Sequence, residues 1–136
     1  MASTLKINTL TGVTTAGSIA VTGEGNSTTT NLQQGLGKSW INMNGTGTPA
    51  ARDSFNVSSL TDNATGDYSP NFSNSMGNVN YAVSFAGGEN TATWGLYLGH
   101  AGLGNATGSH RFLTTAPDNT LTDTAFASLV VLGDLA

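Results

Sequence analysis

Asn80-Tyr81-Ala82-Val83-Ser84-Phe85-Ala86-Gly87-Gly88-Glu89-Asn90 is the stretch that decides the fold class of this chain. Tyr81, Val83 and Phe85 recur at every second position, which puts them on one face of a pleated strand, with Ala82 and Ser84 on the other. Gly87 to Asn90 then supplies the residues a tight hairpin needs. Beyond that turn, Trp94, Leu96 and Leu98 share a face, and Thr93 and Tyr97 take the opposite one. Upstream, Tyr68, Pro70 and Phe72 keep the same period, and Pro70, which has no amide hydrogen, predicts an edge strand or a bulge there. Ile41 and Met43 alternate with Trp40. Phe55 and Val57 alternate with Asn56 and Ser58, which makes Phe55 an expected core residue. Thr61 to Gly66 reads as a turn, since its Asp, Asn and Gly tolerate the left-handed region.

The same reading continues to the C-terminus. His100 to Gly108 is a glycine-rich loop, Arg111 to Thr114 a short strand, and Pro117-Asp118-Asn119 a turn. Phe126 to Leu132 is more continuously apolar, which predicts burial on both faces. Seven or eight short strands at roughly ten-residue intervals, with no helical periodicity, predict an all-β antiparallel β-sandwich of jelly-roll type.

Composition supports this class. Gly, Ser, Thr and Asn occupy 66 of 136 positions (18 + 13 + 21 + 14), while charged residues are 9% and cysteine is absent. Thr suits a pleated surface, and Gly and Asn suit tight turns. The ten aromatics are spaced singly along the strands, and low charge argues against disorder. With a net charge of −4 and only Lys6, Lys38, Arg52 and Arg111 positive, no basic patch for a nucleic-acid backbone is available. No apolar run is long enough for a membrane helix, and Met1-Ala2-Ser3-Thr4 lacks the basic-then-apolar order of a secretory signal. Neither nucleic-acid binding nor membrane insertion is therefore expected.

Residues 1–35 differ from the rest. Leu5, Ile7, Leu10, Val13, Ile19 and Val21 are apolar but separated by Thr, Gly and Ser, with no aromatic. Leu5-Lys6-Ile7 and Ser18 to Val21 read as brief strands, and Gly23 to Asn31 as an extended connector. So few buriable side chains cannot form a core. The expected organisation is an extended N-terminal arm, 1–35, followed by a β-sandwich domain, 36–136.

The chemistry-bearing residues are sparse. Gly35-Leu36-Gly37-Lys38-Ser39 imitates the end of a phosphate-binding loop, but Leu32 stands where the first glycine belongs and a strand follows instead of a helix. His100 and His110 flank the glycine-rich loop, and Asp118 is the nearest third ligand in sequence, so a surface or satisfied pair is preferred to a metal site. Asp62 to Asp67 lacks the glutamate of a calcium loop. Two Glu, six Asp and two His, with no Gly-x-Ser-x-Gly motif, give no support for an enzyme or a cofactor. Trp40, Trp94, Tyr68, Tyr81 and Tyr97 are candidates for a sugar-binding face, although core positions suffice for most of them.

A resemblance adds to this reading. Leu5-Lys6-Ile7-Asn8-Thr9-Leu10 followed by Gly17 to Val21 resembles the N-terminal signature of small virion structural proteins of marine tailed bacteriophages. Lys38-Ser39-Trp40-Ile41-Asn42-Met43-Asn44-Gly45-Thr46-Gly47 is similar to one segment of that group, and Arg52 to Ser59 with Thr61 to Tyr68 is similar to its core segment. Met43, Ala64 and Pro70 depart from the group's aromatic, glycine and β-former. The resemblance runs through residues 1–85. It implies a homotrimeric tail-fibre-like or appendage protein in the virion. Its arm (Leu5, Ile7, Leu10, Val13, Ile19, Val21) would serve attachment and trimerisation with other capsid or tail proteins. Its outer loops (Asp62, Asn63, Asp67, His100, Asn105, His110) would face a host glycan or surface protein. The alternatives are a capsid decoration protein seated at local threefold positions and a carbohydrate-binding module.

Overall fold

The computed structural model describes residues 4–12, 19–23, 28–88 and 104–136 and, at 95–97, the backbone alone. The chain divides into two compact units, Met1–Leu36 and Gly37–Ala136. In the first, β1 (Ala20–Thr22) and β2 (Thr29–Asn31) form an antiparallel hairpin with Val21 opposite Thr30. A single helical turn, α1 (Leu32–Gly35), follows. Asn31 caps it: its Oδ1 accepts the amides of Gln33 and Gln34 at 2.8 and 3.2 Å, occupying donors that a helix start leaves free.

Two sequence expectations change here. Leu5-Lys6-Ile7 is not a strand, because no described strand lies alongside it to take its backbone groups. Conversely, the end of the expected connector is β2, where two β-branched threonines pair with Ala20–Thr22.

The second unit consists of β3 (Gly37–Asn44), β4 (Ala50–Phe55), β5 (Val57–Ala64), β6 (Asp67–Phe72), β7 (Ala82–Gly88), β8 (Gly95–Tyr97), β9 (Asn105–Ala106), β10 (Ser109–His110), β11 (Phe112–Thr115) and β12 (Phe126–Leu132). The fold is all-β and antiparallel. One sheet runs β4-β3-β12-β7; the other runs β8-β11-β6-β10-β9, with β5 also on β6. The sheets share one core. Ile41, Met43, Ala127, Leu129 and Val131 from the first meet Tyr68, Phe72 and Phe112 from the second, joined by Met76 and Tyr81. Phe85 and Phe112 bring the two sheets together at 5.4 Å between ring centroids, and Tyr68 lies 5.7 Å from Phe112. These tilted contacts are the arrangement ring quadrupoles favour.

Alternation does its expected work in β3 and β7, where Ile41, Met43, Val83 and Phe85 turn inward. Elsewhere the structure corrects the local reading. Phe55 is half-exposed, not core. The cause is Asn56, whose φ of 55° ends β4 and starts β5, so Phe55 and Val57 do not belong to one strand. Thr61 to Ala64 is strand, and the turn shrinks to Thr65-Gly66, with Gly66 at φ 65°. An added Cβ at Gly66 would stand 2.6 Å from the Thr114 carbonyl oxygen and the Thr122 amide nitrogen.

Pro70 does not mark an edge, since β6 has neighbours on both sides. β10 pairs at Asn71 and β11 at Tyr68, and in this register Pro70 stands opposite His110, where no bridge forms. The missing amide hydrogen therefore splits one potential neighbour into two short strands. The Arg111 amide faces away from β6 and donates to the Gly104 carbonyl, in continuation of the β9–β10 pairing. β12 is central in its sheet, but its side chains alternate, with Ala127, Leu129 and Val131 buried and Phe126 and Leu132 exposed. Its continuous apolar character reflects its central place between β3 and β7 and not burial on both faces.

Candidate functional site

The residues expected to face a receptor divide into three groups: Asp62, Asn63 and Asn105 are exposed, Asp67 and His110 are buried, and His100 lies outside the described residues. Asp62 is exposed on β5, opposite Tyr68. Asp67 is buried, which corrects its placement in an outward loop. Its carboxylate accepts two hydrogen bonds from Arg111, Nε at 2.8 Å and an Nη at 2.5 Å, and a third from Asn63 Nδ2 at 3.2 Å. Asn63 also donates to Ser69 Oγ at 2.9 Å. Hydrogen bonding to the Arg111 guanidinium holds the Asp67 carboxyl below its usual value, outweighing the opposite effect of burial. This is a structural ion pair, with the Asp67 carboxylate buried and the Arg111 side chain 39% exposed.

His110 is likewise a correction, because only 4% of its surface is exposed. Asn105 fixes its tautomer. The Asn105 amide nitrogen donates to the Val79 and Tyr81 carbonyls, both at 2.9 Å, which leaves Oδ1 to accept from His110 Nδ1–H at 2.8 Å. His110 Nε2 is then a buried lone pair with no hydrogen-bond partner among the described residues. The ring packs against Tyr81 and Phe85, and this burial lowers the imidazole pKa to about 4. A neutral imidazole among aromatic rings belongs to the core. His100, the other half of the expected pair, lies outside the described residues, as does Val13 of the arm. Among the described residues no three His, Asp or Glu side chains converge into a metal-binding group.

A network that no local pattern announced centres on Asp123. Its Oδ1 accepts the Tyr68 hydroxyl at 2.7 Å and the Gly66 amide at 2.7 Å. The Tyr68 oxygen also lies 3.1 Å from the Gly45 carbonyl. Burial, reinforced by the Asp123 carboxylate, raises the Tyr68 pKa. Burial similarly pushes the Tyr81 hydroxyl up to about 12, and that hydroxyl lies within reach of the Ser109 and Ala106 carbonyls. Both phenols remain protonated donors that tie loops to strands. The Asp123 contacts span 55 and 57 residues, so only the fold reveals them.

Apart from His110 Nε2, the buried polar side chains named above are thus committed to holding the fold together. What remains open is surface. In the arm, Leu5, Ile7, Leu10 and Val21 are exposed and Ile19 is half-buried. On the β4-β3-β12-β7 sheet, the face away from the core carries the cross-strand row Phe55–Trp40–Val130 and, beside it, Asp53–Asn42–Ser128. No protein family, curated protein or solved structure matches this chain.

Proposed function

We propose that the chain is a structural subunit of a bacteriophage virion, a homotrimeric tail-fibre-like or appendage protein. Residues 1–35 attach it to other virion proteins, and the body displays its surface toward the host. In this reading the two sheets are the layers of a β-sandwich of jelly-roll type, consistent with their shared core. The observation that carries the reading is the arm: Leu5, Ile7 and Leu10 are 79, 50 and 53% exposed. Apolar side chains left open in this way are stabilised when companion chains cover them. The resemblance of Lys38–Gly47 and Arg52–Tyr68 to phage virion proteins supports the same reading. No helix among the described residues is long and apolar enough to cross a membrane.

The test is the solution mass of the full chain, combined with a count of chains per particle. A trimer present in tens of copies fits an appendage. Hundreds of copies would assign the same trimer to capsid decoration instead. A well-ordered monomer at low concentration refutes the assembly argument. Deleting residues 1–35 is expected to give a folded body that no longer joins the particle, and normal incorporation of that truncated chain would show that the arm is not the anchor.

A further inference from the structure

The outward face of the β4-β3-β12-β7 sheet has the chemistry of a sugar platform. Trp40 on β3 and Phe55 on β4 stand directly opposite each other, 37 and 53% exposed. Phe126, 41% exposed, projects from the same face of β12, four residues from the Val130 that pairs with Trp40. At about 3.4 Å per residue this sets the two aromatic positions roughly 14 Å apart along the strands. Between them runs a polar row, Asp53, Asn42 and Ser128, in successive register across three strands.

Both ends of the platform are thus apolar rings, and the middle consists of hydrogen-bonding groups. Asn42 contributes an amide nitrogen with no partner among the described residues, since its one bond there is Oδ1 accepting from Arg52 at 3.4 Å. Asp53 uses only Oδ1, which accepts the Ser54 amide at 2.8 Å. The Arg52 guanidinium is turned to the Met43 and Ala125 carbonyls, both at 2.6 Å.

We infer that this face binds a neutral pyranose oligosaccharide, with sugar rings lying on Trp40 and Phe126 and hydroxyls meeting Asn42 and Asp53. A pyranose has an apolar C–H face and a rim of hydroxyls, and the rows match both. The alternation of the rows selects the occupant: rings at the two ends suit the C–H faces of separate sugar units, and the polar row between them suits their hydroxyls. Charge selects among sugars: the Asp53 carboxylate offsets the Arg52 guanidinium on this face, and the net charge of −4 disfavours sulfated or uronic chains. The inference deepens the display reading and rests on it for its setting, since the sugar would be part of a host surface.

The experiment uses the full chain with cellotetraose, maltotetraose and chitotetraose as neutral probes and an oligogalacturonate as the anionic control, read by saturation-transfer NMR and by the Trp40 indole signal. At least one neutral probe should bind with millimolar or tighter affinity and perturb that indole, with the oligogalacturonate weaker. Trp40→Ala should weaken binding at least about tenfold, with the amide spectrum otherwise preserved. Phe126→Ala gives an independent reading, expected to weaken binding several-fold, should the first variant fold poorly. The inference is overturned by the absence of transfer from every neutral probe at about 10 mM, or by affinity unchanged in both variants. It is also overturned if Trp40→Ala abolishes association between copies, which would make this face an interface. Because the probes are applied to purified chain, failure here leaves particle incorporation untouched, and failed incorporation leaves the sugar result standing.

Discussion

His110 gives the stability of the body a defined dependence on pH. The ring is 4% exposed, packed against Tyr81 and Phe85, and its pKa falls from 6.5 to about 4 because burial penalises the charged form. Between those values the unfolded chain binds a proton at this residue and the folded chain does not. Stability therefore rises with pH across the window: the contribution is complete above 6.5 and is lost progressively as pH falls toward 4. The two values give about 2 kcal/mol lost between pH 7 and pH 5, and about 3 kcal/mol by pH 4. Denaturant unfolding at a series of pH values measures this directly. His110→Met, which fills similar space without titrating, should flatten the curve over that range, although it lowers stability at pH 7 by releasing the Asn105 contact. Subtracting the two curves removes the part due to other titrating groups. Asp67, whose pKa is lowered, loses its contribution only as pH falls below the ordinary carboxylate range. Parallel curves for wild type and variant would refute the placement of a neutral His110 in the core, as would a His110 ring signal that titrates near 6.5.

Other perturbations separate core from surface. Phe112→Ala, in the shared aromatic core, should cost about 3–5 kcal/mol, whereas Phe55→Ala on the open face should cost less than about 1 kcal/mol by denaturant unfolding; the reverse order would mean that β4 has its faces exchanged. Tyr68→Phe removes the hydroxyl that Asp123 accepts at 2.7 Å and should cost about 1.5–3 kcal/mol, as expected of a hydrogen bond to a charged group. Gly66→Ala combines a φ of 65° with a Cβ 2.6 Å from backbone atoms, and a loss of at least about 2 kcal/mol is expected. In Arg111→Met the Asp67 carboxyl should titrate at higher pH than in wild type, read by carboxyl carbon NMR; an unchanged titration would show that the ion pair does not set its acidity.

The sequence by itself determined the class of structure and several of its faces. Period two in Trp40–Asn44 and Tyr81–Phe85 is a local property, because successive side chains of a strand must point to opposite sides. Which strands lie side by side was a matter for the tertiary structure, since pairing depends on contacts between residues far apart in the chain. Phe55 shows the boundary between the two: its alternation was visible, but one left-handed residue, Asn56, changed what that alternation meant. Asp67 and His110 show it again. A charged or polar side chain is expected at the surface until the fold brings a partner, and Arg111 lies 44 residues from Asp67. Pro70 could only announce a missing hydrogen bond. The tertiary structure placed that gap inside a sheet, opposite His110, where β10 gives way to β11.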